Sequence, residues 1–119
     1  MSAQAPDKAV LPPSQAHALG RILDVVPGAV VSRVLLKRGT GNITLFSFDE
    51  GQGLSEHTAP FDAFVQVVEG EARLTIGGAP VLAVQGDVVV MPAGVPHAVE
   101  ATKALKMLLV MIRDPAPAA

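Results

Sequence analysis

The chain has 119 residues, a length that suits one domain around one hydrophobic core, and half of those residues are apolar. Its net charge is −2 with no basic block, and it has no cysteine. Nucleic acid is therefore not an expected partner, and disulfides, thiolate metal sites and a cysteine nucleophile are excluded.

The opening MSAQAPDKAVLPPSQ lacks the basic start and apolar stretch of a secretory signal. The longest late apolar run, Met107 to Ile112, is far too short to cross a bilayer. A soluble cytoplasmic protein with no membrane partner is expected. Residues 1–13, rich in Ala and Pro, read as a flexible tail. Ser14 is placed to cap a short helix, since Leu19, Ile22, Leu23 and Val26 recur at helical spacing. Gly20 weakens that pattern, so a single loose turn is the alternative, and Pro27-Gly28 ends it.

Short strands follow. Val30 to Lys37 is rich in aliphatic and β-branched residues and closes at Gly39-Thr40-Gly41-Asn42. Ile43 to Phe48 alternates; Phe64 to Val68 precedes a turn at Glu69-Gly70; Ala72 to Ile76 ends in the hairpin signal Gly77-Gly78. Val81 to Val84, Val88 to Met91, His97 to Ala101 and Leu105 to Arg113 complete the series. The pattern predicts an all-β domain over 14–113, an antiparallel sandwich or barrel with at most a short N-terminal helix. The tail 114–119, with Pro115 and Pro117, is expected to be flexible.

Two glycine-bounded segments carry the candidate chemistry. The first is Gly51-x5-His57-x-Ala59-x3-Ala63-x6-Gly70, the second Gly86-x5-Pro92-x-Gly94-x2-His97. On a strand His57 and Ala59 point the same way, while Ala63 lies on the next strand and His97 on a distant one. Asp62 and Glu56 are the nearest acids. Alternation turns both away from the site, although a bulge near Pro60 would rotate Asp62 inward. Phe46, Phe48 and Met107 are candidate wall residues of a pocket centred on His57 and His97, with ordinary core packing as the plain alternative. His17 is expected to be exposed. Gly39-x-Gly41 and Gly51-x-Gly53 open no helix and precede no Lys-Ser/Thr, so they are not phosphate loops.

The two segments together resemble the motif pair of the cupins. Gly51, His57 and Gly70 stand in register with the first motif, and Gly86, Pro92, Gly94 and His97 with the second. The likeness covers roughly residues 28–113, and "EHTAP" is similar to the altered first motif of a group of small single-domain cupins. It implies a double-stranded β-helix, or jelly-roll barrel, of the RmlC-like kind. In metal-binding cupins the converging positions are three histidines and a carboxylate. Here Ala59 and Ala63 replace one histidine and the glutamate, and Ala101 stands where the family often has Asn.

Whether the chain is an enzyme is left open. The first reading is a small molecule bound at His57 and His97 without tightly held metal. The alternative is an oxygenase- or isomerase-type enzyme, with a divalent transition metal (Zn, Ni, Fe, Mn or Cu) on the two histidines plus water or substrate. A third is metal-free acid–base catalysis by one histidine, oriented by Asp62 or Glu56. The resemblance also implies a homodimer, formed through the edge strand near Val30 to Lys37.

Overall fold

The structure is a computed structural model and describes residues 10–115. Nine strands run in chain order: β1 (Val30–Arg38), β2 (Gly41–Phe48), β3 (Gly53–His57), β4 (Asp62–Glu69), β5 (Glu71–Ile76), β6 (Ala79–Val84), β7 (Val88–Met91), β8 (His97–Ala101) and β9 (Leu105–Ile112). They form two antiparallel sheets, one in the order β1-β2-β9-β4-β7 and the other β3-β8-β5-β6. The expected all-β jelly-roll barrel is the observed architecture. Only β3 had no bounds in the sequence reading. Leu54 is its single large apolar side chain, so it has no alternation to betray it.

The two sheets enclose one core. Phe48, Val65, Val67, Leu74, Leu105 and Met107 are fully buried in it. Burying one such side chain contributes about 1.5–3 kcal/mol, which is why the alternating strands settle with that face inward. Turn glycines set where each strand stops. Gly70 joins β4 to β5 at φ +87°, and a Cβ there would collide with the carbonyl oxygen of Ala104. No L side chain fits that position without moving backbone.

The N-terminal segment makes one 3-10 turn, Leu19–Arg21, rather than a helix. The carbonyls that a helix would use internally are engaged elsewhere. Lys106 Nζ donates to the Gly20 carbonyl at 2.6 Å and Ser47 Oγ to that of Asp24 at 2.9 Å. Gly28 N–H, the helical partner of that second carbonyl, donates instead to Asp49 Oδ2 at 2.6 Å. The segment is therefore strapped across the five-stranded sheet by tertiary bonds that outcompete a short helix.

The expected tail 1–13 overlaps the structure only at its end. There Leu11 N–H donates to the Leu35 carbonyl at 3.1 Å, tying the chain to β1. Residues 1–9 and 116–119, and with them most of both expected tails, lie outside the described residues. His17 is exposed, as expected, and its Nε2 donates to the Pro12 carbonyl at 3.0 Å. Among the described residues no helix is long and apolar enough to cross a membrane.

Candidate functional site

His57 is the last residue of β3 and His97 the first of β8, and the two are directly paired across the four-stranded sheet. That pairing depends on an irregularity in the ladder. Leu54 opposes Val99, but His57 opposes His97, so three steps on β3 match two on β8. With unbroken alternation Glu56 would stand opposite His97 and His57 would face away. The extra residue is a β-bulge, and it exchanges the two side chains. The sequence reading placed a possible bulge near Pro60; the bulge lies earlier and aims the histidine, not Asp62.

Backbone carbonyls fix the state of both rings. His57 Nδ1 lies 2.8 Å from the Ser55 carbonyl and His97 Nδ1 lies 3.1 Å from that of Val95. A carbonyl can only accept, so each Nδ1 carries its hydrogen and each ring turns its Nε2 toward the other. The two Nε2 atoms face each other at 3.1 Å, with ring planes at 68° and centroids 4.3 Å apart. At that separation the two Nε2 atoms are within hydrogen-bond distance and can share one proton, and a proton donor or a metal ion placed against both can take its place. His97 is buried and His57 is exposed, so the pair opens to solvent on the His57 side.

The same end of the barrel gathers the other motif positions. The β3–β4 and β7–β8 connections lie side by side, joined by Gly94 N–H to the Ala59 carbonyl at 2.9 Å and by Ala93 N–H to Asp62 Oδ1 at 2.9 Å. Asp62 is thus the anchor of the turn that delivers His97, and Glu56 is exposed. Neither acid orients His57, whose Nδ1 is held by Ser55. The orienting groups expected for acid–base catalysis are backbone carbonyls instead.

Ala63 begins the inward face of β4. Its cross-strand neighbours are Met91 on β7 and Met111 on β9, with Asn42 beyond Met111 on β2. Ala63 and Met91 are buried and Met111 is half-buried. Strand register thus places a methionine on either side of Ala63, which no spacing in the sequence announces. Phe48 and Met107, expected as pocket walls, have no accessible surface and are packed into the core. Phe46 is half-buried, stacks on Phe48 at 5.9 Å between centroids and pairs with Met107 across β2 and β9. In this structure these three are packing residues because inward positions deep in the barrel are filled by side chains from both sheets.

The donor set can be weighed against the metal that cupins often hold. Two nitrogens 3.1 Å apart suit adjacent ligands, because a point about 2.1 Å from both subtends an angle of about 95°. Among the described residues no third His, Cys, Asp or Glu joins them. The pair therefore fits two positions of a metal shell, while the compensating carboxylate of a hard divalent site is missing.

The cupin domain model matches residues 44–112. A conserved protein of unknown function from Streptococcus pyogenes is 35% identical with a TM-score of 0.85, over 89% of this chain and 93% of that one. A cupin 2 conserved barrel domain protein from Leptotrichia buccalis is 36% identical with a TM-score of 0.77, over 79% of this chain and 46% of that one. This chain thus spans about half the length of that relative's matched chain. A cupin superfamily protein from Desulfitobacterium hafniense is 29% identical with a TM-score of 0.82, over 87% of this chain and 95% of that one. No curated protein matches. With a family match over more than half its length, and with both motif segments folded as described, this chain belongs to the cupin family.

Proposed function

We propose that this cupin binds a small molecule at the His57–His97 pair, and that the ligand presents an acidic O–H or N–H to the two Nε2 atoms. One observation carries the reading: both Nδ1 atoms donate to backbone, so both Nε2 atoms converge, 3.1 Å apart. A hydrogen-bond donor seated against them is shared by both. Weak organic acids and phenols are the ligand class that matches.

The test is a thermal-shift screen of small carboxylic acids and phenols against the wild type, His57→Ala and His97→Ala. Binding at a hundredfold excess over Kd stabilises the folded state by about 2.7 kcal/mol. Compounds that stabilise the wild type should stabilise neither variant. Compounds that stabilise all three proteins equally would place the ligand elsewhere and end this reading.

The same geometry favours a second reading. Two converging imidazole lone pairs are also a pair of adjacent metal ligands, with water or substrate filling the remaining positions of a divalent transition metal. Bound there, the metal would supply Lewis acidity or redox chemistry of the oxygenase or isomerase type. Untagged protein should then carry metal by elemental analysis, and His57→Ala and His97→Ala should each abolish it. Metal retained by either variant removes this second reading.

A further inference from the structure

We infer that this chain carries a second small-molecule site, on the outer face of the five-stranded sheet, which takes an organic carboxylate between Arg21 and Arg33. It is independent of the histidine pair, which belongs to the four-stranded sheet. The site is a hollow of about 500 Å³ between the N-terminal segment and β1. That size lies within the range of about 300–1,000 Å³ usual for small-ligand pockets. Leu11, Pro12, His17 and Ile22 line it with the two arginines, and among the described residues no acidic side chain does so.

Register brings Arg33 to the hollow. Arg33 pairs with Leu45 across β1 and β2, and Leu45 faces the same side as Ser47, two residues on. Ser47 bonds the Asp24 carbonyl of the N-terminal segment, so that side is the one the segment covers. Leu45 accordingly has no accessible surface, although it is not part of the core between the sheets. Arg33 is half-buried there, whereas Arg21 ends the 3-10 turn and is exposed. The two arginines thus come from opposite walls, one from the sheet and one from the segment laid over it.

The wall opposite the sheet is a fixed loop. His17 closes it by donating from Nε2 to the Pro12 carbonyl at 3.0 Å, and Leu11 N–H ties its start to the Leu35 carbonyl at 3.1 Å. Ser14 within it has φ 62°, the only non-glycine residue among the described ones in the left-handed region. Such a conformation costs about 1–3 kcal/mol and persists where the surroundings hold it.

Charge and shape define the ligand. The ion pairs among the described residues are Arg73–Glu100, Lys103–Glu71 and Lys106–Glu69, and Arg21 is in none of them. In a chain of net charge −2, the hollow is a local concentration of positive charge. A guanidinium presents paired N–H donors that match the two oxygens of a carboxylate, and its five N–H groups are enough to serve a carboxylate and protein neighbours together. Leu11, Pro12 and Ile22 give the hydrocarbon part of the ligand an apolar wall. The class is therefore a small aliphatic or aromatic carboxylate in its ionised form. The histidine pair differs in kind, because it takes the acidic hydrogen of its ligand.

The experiment titrates the full chain at neutral pH with hexanoate, its uncharged analogue hexanamide, and inorganic phosphate, followed by backbone amide NMR shifts. Hexanoate should saturate at one per chain and move the amides of residues 16–22 and 33. It should do so equally in His57→Ala, which separates this site from the histidine pair. Hexanamide and phosphate should each bind about tenfold more weakly, the first for want of charge and the second for want of an apolar part. Arg21→Gln, at an exposed position, should weaken hexanoate about tenfold. Arg33→Lys, which keeps the charge but loses the fork, should also weaken it. Shifts confined to the surroundings of His57 and His97 overturn the assignment, and so does an Arg21→Gln variant that binds hexanoate like the wild type. Phosphate bound as tightly as hexanoate overturns the carboxylate class, and a wild type that binds none of the three overturns the site.

Discussion

Ala63 and Phe64 are adjacent in β4 and face opposite sides of one sheet. Ala63 looks into the barrel between Met91 and Met111; Phe64 looks outward between Val90 and Val110. The inner side is filled, and the motif histidines meet at its rim, where His97 is buried. The outer side is also apolar, yet Phe64, Val88, Val90 and Ile112 on it are exposed, because the N-terminal strap lies toward β1, β2 and β9, where it is bonded to Leu35, Ser47 and Lys106. Hydrophobicity alone does not separate core from surface in this molecule. What separates them is whether a second layer lies on top.

The comparison is broken most severely by deleting an inner side chain. Phe48→Ala should cost about 3–5 kcal/mol in chemical denaturation, the range for emptying a packed aromatic site. A loss under about 1 kcal/mol would mean that Phe48 borders open space and is a pocket wall after all. Substituting the neighbouring pair in turn sharpens the contrast between the two faces. Ala63→Glu should raise zinc or nickel affinity at least tenfold, about 1.4 kcal/mol, by restoring a carboxylate next to the imidazoles. Phe64→Glu, one residue along, should leave metal affinity unchanged. Equal effects on metal from both would refute the assigned facing. The smallest effect is expected at the tie between the two connections. Asp62→Ala removes one hydrogen bond and should cost about 1 kcal/mol, with faster amide exchange at Ala93 as its local signature. Unchanged exchange there would show that the bond does not hold the turn.

Much of this was legible in the chain. Alternation marked eight of the nine strands, and the glycines at 51, 70, 86 and 94, all at positive φ, marked their ends. The same spacing singled out His57 and His97 as facing residues. Less legible was which neighbours they would have. Counting positions from Leu54 turns His57 outward and Glu56 inward, and only the bulge against β8 reverses them. Nothing local announces that bulge, because its register is set by Leu54 packing against Val99 and by the turn that delivers His97. The N-terminal stretch reads as helical by period, and it fails to be one because Lys106 and Ser47, far along the chain, capture its carbonyls.

The sequence by itself determined the fold family, eight of the nine strands and the two histidines, because conformations of contiguous residues are encoded by local pattern. Only the tertiary structure decided that both Nε2 atoms converge, that Asp62 is occupied by a turn, that Phe48 and Met107 are core, and that two methionines flank Ala63. Those facts depend on register between strands that are distant in sequence. Register is set by side-chain packing summed over whole strands, which no single residue spacing contains.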